Sequence, residues 1–396
     1  MKTEKTELDA GEGRKNRRKA LRKKKGVTVA VIVLTLFLAM IAAFFAVPAI
    51  LSSGRSNIGY ENENASEALQ NGDGFVFSVD SGTIDSLNNV SGGGVISAGN
   101  SILSFKRNGS VSDAVKTGYS SQSVKFSGSD YIVFERSTGK YSIMDKNGTV
   151  HSSQLDEEII NAAVSSGGEY IIISRKSLST SFVTVYSTKN TVLFRWECST
   201  GYLTDCAISP NGKNFAVAEF DVKNGNSKTV VRTFTTKSTD VEKEIEISGA
   251  VFSMKFLTSD SLGIITDSGY IIENVKSGET KTADYALDNV SASFFSDNNY
   301  AAVLKSDFGS LGRNSISVFD RSANEIFSRE IDEEVISFFV DKSFVYVMTS
   351  CKITVYALST GEEHASYETV GGLRRMCVLS GRIFCATDTD VYKYGK

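Results

Sequence analysis

The residues able to do acid–base, nucleophilic or metal chemistry are few and scattered. Histidine occurs twice, at His151 and His364, both in stretches that read as outer strands, away from any cleft where an imidazole would meet a nucleophile. The five cysteines, Cys198, Cys206, Cys351, Cys377 and Cys385, include neither a CxxC pair nor a Cys/His cluster at zinc spacing. Cys377 and Cys385 read as lying on adjacent strands, where they either pair outside the cytoplasm or stay as small buried thiols. Ser91-Gly92-Gly93-Gly94 leads into a strand and not into a helix N-terminus, so it is a turn and not a phosphate cradle. This inventory implies no cofactor and no metal.

Carboxylates form the one internal echo. Leu155-Asp156-Glu157-Glu158-Ile159-Ile160 is repeated as Ile331-Asp332-Glu333-Glu334-Val335-Ile336. Acidic clusters at equivalent places suit a cation or a basic partner, or are solvated turns inherited by duplication. Residues 306–313 add Phe308 and Leu311 as apolar anchors, and Arg374 and Arg375 add positive charge nearby. Asp156, Glu157, Glu158, Phe308, Leu311, Asp332, Glu333, Glu334, Arg374 and Arg375 therefore make up a candidate partner-binding face.

The elements that must position these residues are strands. Two prolines against 33 glycines, with abundant Ser, Thr, Val, Ile, Phe and Tyr, is a strand-and-turn composition. Short apolar runs alternate with turn residues from residue 74 onward, without an amphipathic helical stretch. First strands of a repeated unit begin near Ile84, Gln122, Ile160, Leu203, Ala250, Asn289, Glu333 and Leu373. A period near 40 with four strands per unit marks an all-β, eight-bladed β-propeller, with seven blades as the runner-up. The last unit supplies three strands, and residues 75–79 are expected to complete it, closing the ring from both chain ends. Three long loops between second and third strands, residues 175–180, 221–227 and 306–313, fall on the same face as the acidic clusters.

The N-terminal part has another character. Residues 1–25 hold 11 Lys/Arg and 4 Asp/Glu, leaving 32 basic and 42 acidic residues for the rest, a balance that excludes nucleic acid as the partner of the body. Residues 27–51 carry no charge and are long enough to cross a bilayer. The positive-inside rule then predicts a cytoplasmic tail over 1–25, a single-pass transmembrane signal anchor over 26–51, a flexible stalk over 52–73 and an extracytoplasmic propeller over 74–396. The competing reading is a cleaved signal peptide, for which Val47-Pro48-Ala49 offers small residues.

Ser209-Pro210-Asn211-Gly212-Lys213 resembles the turn between the first two strands of WD40-like and TolB-like propellers, and Ser359-Thr360-Gly361-Glu362 and Lys276-Ser277-Gly278-Glu279 look like turns of quinoprotein-type repeats. The chain lacks the Gly-His and Trp-Asp pairs of the first group and, with Trp196 alone, the per-blade tryptophans of the last. The full layout resembles an uncharacterised family of membrane-anchored propeller proteins of Gram-positive bacteria. That resemblance implies plasma-membrane attachment with the propeller outside. Two functions are compatible with these observations: a binding or scaffolding module for a cell-envelope protein or glycan, and a carboxylate-based envelope polysaccharide hydrolase or lyase.

Overall fold

In a computed structural model of the chain, the described residues are 74–395 except 146–147, 179, 224–225, 239, 286–288 and 307–313. They form eight four-stranded antiparallel sheets, the blades of one propeller. Seven blades are built from consecutive strands, starting at Ile84, Gln122, Glu158, Tyr202, Val251, Asn289 and Ser337. The eighth takes Arg375–Leu379, Arg382–Ala386 and Asp390–Tyr394 from the C-terminal part, and Gly74–Ser78 as its outer strand. This last strand pairs Gly74 with Lys393 and Ser78 with Asp390, so the ring is closed by both chain ends.

The sequence makes blades because the second strand of each unit is apolar on both faces. In Tyr170–Ser177, Ile172 packs into a cluster with Ile132, Phe134 and Tyr141 of blade two, while Ile171 and Ile173 pack with Cys206, Phe215 and Val217 of blade four. Side chains alternate across a strand, so a strand sandwiched between two neighbours must be apolar at every position. Each such isoleucine, wholly buried here, contributes roughly 1.5–3 kcal/mol relative to exposure. Outer strands revert to alternation, as in Glu363–Glu368. Both histidines lie on outer strands, His151 in Gly148–Gln154 and His364 in Glu363–Glu368.

Chain direction defines two faces. Turns joining first to second and third to outer strands lie on one, here the turn face. Turns joining second to third strands, and the links between blades, lie on the other, the crossover face. Gly74 pairs with Lys393 near the turn-face end of blade eight, so the chain joins the ring at that rim.

Two expectations need correction. Two of the three expected long loops are hairpins: pairing continues to Ser177 with Thr180 in blade three and to Lys223 with Asn226 in blade four. Most of the third, residues 307–313, with Phe308 and Leu311, falls outside the described residues. The inner strand of blade seven is only Ser337–Val340, leaving Glu333 and Glu334 in the link before it. Of the two states left open for Cys377 and Cys385, the structure shows buried thiols: Cys377 packs in the cluster shared with blade one and Cys385 in the cluster shared with blade seven. The two thiols lie on opposite faces of one sheet and do not pair, and all five cysteines are free.

Among the described residues no helix is long and apolar enough to cross a membrane. The expected anchor, residues 26–51, lies outside them, as do the tail over 1–25 and the stalk over 52–73.

Candidate functional site

The acidic echo lies on the crossover face, in the links entering blades three and seven. In a ring of eight these are diametrically opposite, so the two clusters do not converge on one ligand. Several of their carboxylates are also bound within their own neighbourhood. Glu157 pairs with Arg195 at 2.6 Å and Glu158 with Arg175 at 3.1 Å. Glu333 pairs with Lys352 at 3.1 Å, and the Thr349 hydroxyl together with Lys352 holds its carboxyl below the usual range. Asp156, Asp332 and Glu334 are exposed. Arg374 pairs with Asp388 at 3.0 Å, and Arg375 donates to the Asp85 carbonyl at 2.7 Å, tying blade eight to blade one. Among the described residues there is no cluster of metal-ligating side chains.

Apolar side chains are the feature of this face that sequence reasoning missed. Leu178 at the hairpin tip of blade three, Tyr202 at the start of blade four, Val222 near its hairpin tip and Phe252 at the start of blade five are 81%, 58%, 56% and 46% exposed. They occupy three consecutive blades on one face. The blade-four hairpin strands, Asn214–Lys223 and Asn226–Thr235, are ten residues each against four to eight elsewhere, so Val222 is carried out beyond the general level of the disc. An apolar residue beside a hairpin tip was the available signal.

A cavity opens on the other face. It has a volume of about 860 Å³ at the turn-face end of the central channel, and its lining draws on every blade except the seventh. Arg107, Lys125 and Lys255 line it against a single carboxylate, Asp297, among serines and asparagines. Two-carboxylate glycoside chemistry needs a pair of acids across the substrate, and this lining does not hold one. Burial lowers the pKa of Lys255, opposed by Asp297. Its ammonium donates to the Ser296 carbonyl at 2.7 Å, while Asn89 of blade one donates to Asp297 of blade six at 3.0 Å, across the mouth.

A repeated local device fixes the turns at the rim of this channel. The turn expected at residues 209–213 sits at its rim: Gly212, with φ of 66°, donates to the Ser209 carbonyl at 2.8 Å, and the buried Ser209 hydroxyl accepts from the Asn214 amide at 2.9 Å. Blades three and six repeat the device with Ser165 and Ser296. Higher in the channel, the inner strands of blades one, three, four, five and six each carry a β-bulge, after which stand Ser86, Asn161, Asp205, Ser253 and Ala292. A bulge twists its strand and re-aims the next side chain. Asp205 thereby accepts from Asn161 of blade three at 3.0 Å and from the Met254 amide of blade five at 2.9 Å.

The fold and these surfaces define the class: a closed eight-bladed propeller that presents an apolar arc on one face and a basic cavity on the other. The chain belongs to a family of unknown function, DUF5711, whose model matches residues 80–392. No curated protein matches the sequence. Among solved structures it is similar to BamB from Moraxella catarrhalis, at 11% identity and a TM-score of 0.51, covering 81% of this chain and 99% of that one. It is likewise similar to Sqt1 from Saccharomyces cerevisiae, at 11% identity and a TM-score of 0.56, covering 82% and 100%. At such identity these likenesses show the fold alone.

Proposed function

We propose that the propeller is a non-catalytic scaffolding module, held outside the plasma membrane by residues 27–51, that binds a cell-envelope protein through its crossover face. The observation that carries this reading is the arc of Leu178, Tyr202, Val222 and Phe252, exposed on three consecutive blades. Apolar anchors inside a charged rim are the usual anatomy of a protein–protein contact. The exposed Asp156, in the link entering blade three where the arc begins, favours a partner with a basic residue beside its own anchors. Residue 74 joins the ring at the rim opposite the arc. A rigid closed ring presents such an arc without an ordering cost on binding.

The test is site-specific photocrosslinking of the full-length chain in its native membranes, with the crosslinker at position 178 or 252, and at 192 on an outer strand as control. One protein adduct of the same mass from the first two positions, absent from the third and lost with Tyr202→Asp, supports the reading. Equal adducts at all three positions, or none, overturn it. An adduct that resists protease and yields to glycosidase replaces the protein partner with an envelope glycan.

A further inference from the structure

The crossover face leaves the central cavity without a role. We infer that the turn-face mouth of the channel is a binding site for a small anion carrying a carboxylate or phosphate group, independent of the protein-binding face proposed above.

Charge is the first reason. Outside its first 25 residues the chain has 42 acidic against 32 basic residues, yet the cavity lining reverses this, with Arg107, Lys125 and Lys255 against Asp297. A concave, low-dielectric site lined by one sign of charge concentrates ligands of the other. Asp297 is engaged by Asn89, and the nearby Asp205 by Asn161 and Met254, so neither carboxylate forms a direct ion pair with Lys125. Lys125 is exposed to the cavity, and its ammonium makes no hydrogen bond among the described residues.

The second reason is the supply of neutral donors. Ser127, Ser253, Ser293 and Ser380, from blades two, five, six and eight, line the same space with no side-chain hydrogen bond among the described residues. Ammonium and guanidinium groups fix an anion, and hydroxyls complete its remaining acceptor sites. The third reason is size: about 860 Å³ lies within the range of small-ligand pockets, far below what a folded partner needs. Phe126, Phe294 and Phe295 complete the lining, leaving apolar surface for the uncharged part of an organic ligand.

The experiment is calorimetric titration of the detergent-solubilised full chain with citrate and glucuronate as carboxylates, inorganic phosphate and glucose 6-phosphate as phosphates, and glucose as the neutral control. At least one anion should bind saturably, weaken as salt is raised, and leave glucose without signal; which pair responds tells carboxylate from phosphate. Lys125→Met should weaken that binding at least fivefold, and Lys125→Met with Arg107→Gln should abolish it. Lys189→Met, exposed on the same face outside the cavity, should leave it unchanged, and each variant's melting curve shows that it remains folded. No saturable anion binding, glucose binding equal to that of the anions, or binding unaffected by the double variant overturns the inference.

Discussion

Asp205 and Asn161, from the inner strands of neighbouring blades, meet at 3.0 Å through Asn161 Nδ2 and Asp205 Oδ1. The other carboxylate oxygen accepts from the main-chain amide of Met254 in the next blade at 2.9 Å, so one side chain ties three inner strands. Asp205→Ala should lower unfolding free energy by about 1–3 kcal/mol, since it strands two donors in the channel wall. Denaturant midpoints of the two proteins measure this.

Burial raises the Asp205 pKa above its unfolded value, ahead of the opposing pull of Lys125. Its contribution is then fully present below the unfolded pKa and declines as pH rises through the folded one. Melting temperatures of the wild type and Asp205→Asn, followed from pH 4 to 7, should show the wild type losing ground to the variant as pH rises. A constant difference would mean that Asp205 titrates normally.

Glu135 has the opposite sign. The Ser120 amide at 2.8 Å and hydroxyl at 2.7 Å, with Thr138 and Lys140, bring its carboxyl down to about 2. Its stabilisation is present above the unfolded pKa and lost as pH falls toward about 2. Glu135→Gln should be less stable by roughly 2 kcal/mol at pH 7. That deficit should close under acid, which pH-dependent denaturation will read.

Closure of the ring rests on one strand from the N-terminal side. Phe77, buried at 1% exposure, packs edge-on to Phe105 at 5.8 Å within the cluster shared by blades eight and one. Phe77→Ala should cost about 3–5 kcal/mol. The mechanism predicts where the damage falls: limited proteolysis should first cut blade eight, and cleavage beginning in blade four would contradict it.

Cysteine exposure offers a check of both fold and topology. Cys351, in the hairpin turn of blade seven, is exposed and the other four cysteines are buried, with burial pushing the Cys206, Cys377 and Cys385 thiols up. The native protein should take one equivalent of maleimide and the denatured protein five, without prior reduction. A membrane-impermeant maleimide should label Cys351 on intact cells; labelling only after lysis would place the propeller on the cytoplasmic side.

The eight units were legible because blade packing demands a doubly apolar second strand, as in Tyr170-Ile171-Ile172-Ile173, and tight turns such as Ser209-Pro210-Asn211-Gly212-Lys213 punctuate them. Closure was legible from the missing fourth strand of the last unit, which Gly74–Ser78 supplies. The candidate face was only partly legible. Asp156-Glu157-Glu158 and Asp332-Glu333-Glu334 were visible as an echo, but their opposite placement and their ion pairs with Arg195, Arg175 and Lys352 depend on residues 17 to 38 positions away. The hairpin segments at residues 175–180 and 221–227 read as loops because strand pairing there comes from the register of the blade and not from local propensity.

By itself the sequence determined the class, the number of repeats and the way the ring closes, since these follow from local periodicity and turn chemistry. Only the tertiary structure decided where the surfaces lie. Arg107, Lys125 and Lys255 come from blades one, two and five, and each is an ordinary residue in its own strand or turn. They make a basic cavity because ring closure brings the inner strands of Lys125 and Lys255 around one axis and the third-to-outer turn of blade one, with Arg107, to the same space, and no sequence period records that convergence.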